Sequence, residues 1–144
     1  MEYITISFDV DTTNADAKLG FEFWLDSQLI IDIDHVAGPQ QLSHRMLDND
    51  GEHQLKFVLK NKKPEHTSID EQGNIVQDAC LIVKNVKFDD IALGHMFTEL
   101  AKYHHSYNGN QSEVVENFYE YMGCNGHVCL DFTTPCYLWL LENM

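Results

Sequence analysis

Ile4-Thr5-Ile6-Ser7-Phe8-Asp9-Val10 alternates large apolar residues with polar ones. A period of two puts Ile4, Ile6, Phe8 and Val10 on one face of an extended chain and Thr5, Ser7 and Asp9 on the other. That is the pattern of a half-buried strand. The same period recurs downstream. Phe21, Phe23 and Leu25 alternate with Glu22, Trp24 and Asp26, and Leu29, Ile31 and Ile33 with Ile30, Asp32 and Asp34. His53, Leu55, Phe57 and Leu59 alternate with Gln54, Lys56, Val58 and Lys60. Turn chemistry punctuates these runs at Asp26-Ser27, Gly38-Pro39 and Asp48-Asn49-Asp50-Gly51. Ala79 to Val83 is apolar on both faces, as a central strand requires. Leu81 and Val83 have one parity, Val86 and Phe88 the other, so Lys84-Asn85 marks a β-bulge.

Other segments are less regular. Asn61 to Gln72 reads as a polar loop, with Gly73-Asn74 opening the next hairpin. Ile91 and Leu93 close the following region before Gly94. Phe97, Leu100 and Tyr103 have the spacing of one helical face, and Asn108-Gly109-Asn110 is a loop. Phe118 to Met122 and His127 to Phe132 read as a closing hairpin. After Pro135 the chain ends on Tyr137, Leu138, Trp139, Leu140 and Leu141, where most chains fray into polar residues. This ending predicts a short helical turn that packs on the domain, on another chain, or on both. The fold expected is all-β: an antiparallel β-sandwich of jelly-roll type with about seven to nine strands. Residues 1–144 form a single domain in this reading. No βαβ rhythm is present, so a parallel sheet is not expected.

The charge narrows the choice of partners. Nine Lys plus Arg against 23 Asp plus Glu give a formal net charge of −14 over 144 residues. A phosphate backbone needs a cationic face, so nucleic acid is not an expected partner. Anionic lipid is disfavoured for the same reason. No stretch approaches the roughly 20 apolar residues of a membrane span, so membrane insertion is not expected either. Divalent cations, neutral glycans and basic proteins remain suitable partners. Met1-Glu2-Tyr3-Ile4-Thr5-Ile6 alternates and does not form a cationic region followed by an apolar run, so no signal peptide is expected.

The catalytic motifs with a recognisable mechanism are missing: Gly-x-Ser-x-Gly, a P-loop, His-Glu-x-x-His and the dinucleotide glycine fingerprint. A non-enzymatic protein is expected. Cys80, Cys124, Cys129 and Cys136 default to thiols in a reducing compartment. A bridge between Cys124 and Cys129 is the alternative outside the cell. Cys129 and His127 share a strand face, but the spacing from Cys124 does not match a zinc knuckle. His104 and His105 are adjacent, so their rings point to opposite faces. His53 lies on the apolar face of its strand, where a hydrogen-bonded structural role is expected. Asp48, Asp50, Asp70 and Asp78 sit in or beside turns. They serve either as turn formers or as ligands of a loop-tip calcium ion. No cofactor is required. Trp24 has the parity of Glu22 and Asp26, which suits sugar stacking, a partner contact or packing under a neighbouring loop. Trp139 and Tyr137 are the other aromatic contact candidates.

Three segments, taken in order, carry a resemblance. They are His53-x-Leu55-x-Phe57-x-Leu59-x-x-Lys62, Asp70-x-x-Gly73-x-Ile75-x-x-Asp78, and Leu81-x-Val83-x-x-Val86-x-Phe88-Asp89-x-Ile91-x-Leu93. With Gly123-Cys124-Asn125-Gly126 and the ending Phe132-x-x-Pro135-x-Tyr137-x-Trp139-Leu140-Leu141-Glu142-Asn143, the chain resembles small virion-associated proteins of tailed phages of marine cyanobacteria. Its middle is similar to the β-sandwich of calcium-dependent xylan-binding modules. The resemblance implies a structural component of a phage particle, in the tail, fibre, baseplate or capsid decoration. Its partners would be other virion proteins and further copies of itself, and its location the virion. The alternative it implies is a carbohydrate-binding module that recognises a host surface glycan, with or without calcium.

Overall fold

The computed structural model describes residues 2–62, 67–69, 71–72, 75–105 and 112–143. Strand β1 (Tyr3–Thr12) is followed by β2 (Gly20–Leu25), β3 (Gln28–Ile33), β4 (Gln40–Leu47) and β5 (Gly51–Lys60). A short pair, β6 (Thr67–Ile69) and β7 (Ile75–Asp78), precedes β8 (Leu81–Phe88) and β9 (Ile91–Ala92). Helix α1 (His95–Leu100) leads into β10 (Lys102–His105), β11 (Val114–Asn117), β12 (Tyr121–Met122) and β13 (Gly126–Thr134). Helix α2 (Cys136–Asn143) closes the chain. One sheet has the order β12-β8-β1-β4, with β9 on β8; the other has the order β11-β10-β13-β5-β2-β3. All pairings in both are antiparallel. This is the sandwich that the period-two runs require, with a short C-terminal helix.

The buried parity of each run builds the core between the sheets. Ile4, Ile6, Phe8 and Val10 face Phe21, Phe23, Leu55, Phe57 and Leu59, all at most 1 % exposed. Phe8 is the hub. Its ring lies 4.7 Å from Phe57, 5.1 Å from Phe23 and 5.8 Å from Phe21, in the tilted and edge-on arrangements that aromatic quadrupoles favour. Asp26 and Ser27 both have positive φ, the requirement of the tight turn that matches strand twist between β2 and β3. The bulge is present too. Ser7 pairs with Lys87 and Asp9 with Lys84, leaving Asn85 and Val86 opposite Phe8. Asn85 takes a left-handed conformation to turn the strand there.

Several expectations are corrected. The described residues form thirteen strands instead of about seven to nine, because several short strands carry too little pattern to be read. β4 is longer but gives no clear alternation: Gln40-Gln41-Leu42-Ser43-His44-Arg45 is mostly polar, since an edge strand covers the core with one sparse face. β6 lies inside the stretch read as a loop, and Gly73-Asn74 and Asn108-Gly109-Asn110 lie outside the described residues. The helical face of Phe97, Leu100 and Tyr103 breaks after Leu100, and Tyr103 belongs to β10. Phe118–Met122 does not pair with 127–132. β12 joins β8 in one sheet, while β13 joins β10 and β5 in the other. Glu120 has φ 77°, and this left-handed residue carries the chain from one sheet edge to the other.

The C-terminal stretch divides by face. Cys136, Trp139 and Leu140 are buried, whereas Tyr137, Leu138 and Leu141 are more than half exposed. Asp48 Oδ1 accepts a 2.8 Å hydrogen bond from the Cys136 N–H and so caps the start of α2. Burial, with the nearby Asp48 and Asp89, pushes the Cys136 thiol up to about 11. At pH 8 only about one molecule in a thousand then carries the thiolate that alkylates. Iodoacetamide labelling followed by peptide mass mapping is expected to leave Cys136 unmodified in the folded protein and to modify it once the protein is unfolded in urea. Cys124 and Cys129 do not bridge.

Candidate functional site

The candidate site is built where the two sheets meet at one side of the sandwich. β11 is the edge of one sheet and β12 the edge of the other, and Phe118–Glu120 crosses between them. Phe118 points inward, 1 % exposed, with its ring 6.1 Å from Phe97 and 6.0 Å from Tyr103. That anchor leaves Tyr119 and Tyr121 outside, 67 % and 55 % exposed. Together with Tyr103, Glu116 and Asn117 they line a cleft of about 440 Å³. This falls within the usual range of about 300–1,000 Å³ for small-ligand pockets.

The floor and wall of this cleft are held rigidly. The Tyr103 hydroxyl donates to the Cys124 carbonyl and accepts from the Cys124 N–H at 2.9 Å. Burial raises the phenol well above its ordinary range, so Tyr103 stays neutral. Its ring lies 4.6 Å from that of His105, whose Nε2 is 2.9 Å from Glu116 Oε1. Asn117 Oδ1 accepts from Lys102 Nζ at 2.6 Å, which fixes the amide and turns its NH2 group to other acceptors. The arrangement offers two exposed aromatic faces, a half-exposed carboxylate and an amide donor. Groups of these kinds can stack on and hydrogen-bond to a polyhydroxylated ring. Tyr119 and Tyr121 escaped the sequence reading, although their shared parity opposite Phe118 was the available signal.

A second cleft, of about 540 Å³, opens at the end of the six-stranded sheet. Asp26, Glu52, His53, Gln54 and Asp131 wall it, with Trp139 behind them. Its polar groups are largely engaged with one another. His53 Nδ1 is 2.6 Å from Asp26 Oδ2, Gln54 N–H donates to Asp26 Oδ1 at 2.9 Å, and Gln54 Nε2 donates to Asp131 Oδ1 at 2.9 Å. His53 Nε2 lies 3.1 Å from Thr134 Oγ1. The Asp26–His53–Thr134 order is that of a nucleophile relay, but Thr134 is 5 % exposed and lies outside the cleft wall. A substrate carbonyl does not reach its hydroxyl. The chain of bonds instead ties the β2–β3 turn to β5 and β13, the structural role expected for His53.

The residues singled out from sequence are dispersed. Trp24 lies half-buried on the outer face of the six-stranded sheet; its indole N–H donates to Glu22 at 2.9 Å and Lys56 Nζ lies 5.5 Å from the ring centroid. Glu22 and Asp32 also bind Lys60, at 3.1 and 2.5 Å, and the Asp32 hydrogen bond raises the ammonium above its ordinary range. Trp139 is 6 % exposed and contributes to the lining of the larger cleft, and Tyr137 is exposed on α2. Asp48 caps α2 and Asp50 is exposed in the β4–β5 turn. Asp78 closes β7, and Asp70 lies outside the described residues. Among the described residues no three carboxylates bring ligand oxygens within 4.8 Å of one another.

The fold is similar to that of vCBM60, solved in a study of a circular permutation that links two families of calcium-dependent carbohydrate-binding modules. The match has a TM-score of 0.54 at 10 % identity and covers 88 % of this chain and 89 % of that one. A vCBM60 structure in complex with galactobiose matches at 13 % identity and a TM-score of 0.45, over 88 % of this chain and 96 % of the other. No family model matches the chain, and no curated protein does.

Proposed function

We propose that this protein is a non-catalytic carbohydrate-binding module that takes a neutral glycan in the Tyr119–Tyr121 cleft. The observation that carries the reading is the exposure of two tyrosine rings over a cleft that also presents Glu116 and Asn117. Exposed tyrosine rings offer flat faces on which the apolar C–H faces of sugar rings stack. The net charge of −14 disfavours anionic polysaccharides. The likeness in fold to carbohydrate-binding modules supports the reading. The proposal contains no calcium step.

Affinity electrophoresis through gels containing neutral galactose-, xylose- or glucose-based polysaccharides tests it. At least one is expected to retard the native protein. Removing either ring, Tyr119→Ala or Tyr121→Ala, is expected to weaken binding by about 1 kcal/mol or more, roughly five- to tenfold. The double variant is expected to migrate as in an empty gel. Unretarded migration of the native protein in all of them would reject the proposal.

A second reading, a particle component that packs against further copies of itself, has one observation in its favour. Tyr137, Leu138 and Leu141 form an exposed apolar stripe on α2, at 55 %, 58 % and 70 % exposure. The virion location rests on the sequence resemblance.

A further inference from the structure

On the outer face of the six-stranded sheet, β10 and β13 bring three metal-ligating side chains together. His104 pairs directly with His127, and Cys129 is the next residue of the same face on β13. The two imidazoles stack, 4.7 Å apart and 12° from parallel. Cys129 Sγ lies 3.5 Å from His104 Nε2. One ligand atom from each of the three falls within 4.8 Å of the others, and all three side chains are half-buried. From these positions we propose a zinc-class transition-metal site with the donor set His104, His127 and Cys129.

The chemistry of the donor set selects the metal. Two imidazole nitrogens and a thiolate suit Zn²⁺ and its neighbours in the first transition row, and do not suit Ca²⁺ or Mg²⁺. A tetrahedral zinc with bonds of about 2.3 Å to sulfur and about 2.1 Å to nitrogen sets those atoms roughly 3.6 Å apart. The separation of Cys129 Sγ and His104 Nε2 already has that value. His104 Nδ1 lies 3.4 Å from Glu113 Oε1. A carboxylate there holds the proton on Nδ1 and leaves the Nε2 lone pair directed at the metal, the usual outer-shell arrangement of a ligating histidine. Lys56, the cross-strand partner of Cys129, has its ammonium 5.5 Å from the Trp24 ring centroid. Three ligands on one open sheet face leave a fourth position for water.

Cobalt supplies the test, because Co²⁺ substitutes for zinc and is coloured. Chelator-treated full-length protein is titrated with Co²⁺. One equivalent is expected to give d–d bands of tetrahedral intensity and a near-ultraviolet thiolate-to-cobalt charge-transfer band, both abolished by one equivalent of Zn²⁺. Cys129→Ser is expected to lose the charge-transfer band, and His104→Gln to lower cobalt affinity at least tenfold. Cys124→Ser is expected to keep both signals. Circular dichroism of each variant checks that it is folded. A spectrum of aqueous Co²⁺ at one equivalent, or a charge-transfer band that survives Cys129→Ser, would overturn the assignment.

Discussion

Trp139→Ala is expected to remove about 3–5 kcal/mol of stability, the usual cost of truncating a buried Trp or Phe. Trp139 is 6 % exposed and its ring lies 5.6 Å from Phe88 in one sheet and 6.2 Å from Phe132 in the other. It therefore closes the end of the sandwich from outside both sheets, and its loss exposes two further aromatic rings. A domain of this size holds about 5–15 kcal/mol in total, so the variant should unfold at markedly lower urea. The exposed side of α2 gives the contrast. Tyr137→Ser with Leu141→Ser should leave the urea midpoint nearly unchanged, because those side chains are already in water. If Trp139→Ala melts with the native protein, α2 does not cap the core.

Gly126→Ala is the second large effect. A Cβ at Gly126 would stand 2.2 Å from the His104 carbonyl oxygen and 3.1 Å from His105 Cβ. The first obstacle is backbone, which no rotamer change relieves. Gly126 pairs with Leu59 on one side and His105 on the other, so β10 has to move away from β13. Overpacking of this kind costs about 1–3 kcal/mol, and a backbone obstacle belongs at the upper end. The same displacement separates His104 from His127. Denaturant unfolding with hydrogen exchange at residues 102–105 reads both effects. An unchanged midpoint with native protection of those amides would show that the pairing yields freely.

How far the sequence reveals the molecule depends on where each pattern originates. β1, β2, β5 and β13 each bury one face, so every second residue reports the sheet and the period alone identifies them. The bulge at Lys84-Asn85 was equally visible, because a parity change is a local signal. β4 was not, since an edge strand needs few apolar residues. The sheet switch at Glu120 was also hidden. Phe118 and Met122 are both buried and keep one parity, but they face a core shared by two sheets, and parity does not say which sheet a residue belongs to.

The candidate sites were legible to different degrees for the same reason. His127 and Cys129 share a face by local spacing, whereas His104 reaches them only through the β10–β13 register. Tyr119 and Tyr121 acquire Glu116 and Asn117 as neighbours only because the chain crosses between sheet edges there. Trp24 looked more open in sequence than it is, since Glu22 and Lys56 hold it from flanking positions. Asp48 illustrates how turn chemistry and metal chemistry share a residue type. Its carboxylate serves the first N–H of α2 across 88 positions of sequence.

The proposed glycan occupies the cleft between β11 and β12. Titrating ¹⁵N-labelled protein with an oligosaccharide of the polysaccharide that retards it measures this directly, residue by residue. Saturable amide shifts are expected at Glu116, Asn117, Tyr119 and Tyr121, fading across β8 and absent at Asp26, His53 and Asp131. Shifts centred on the Asp26–His53 cleft, or a spectrum that sugar leaves unchanged, would contradict it.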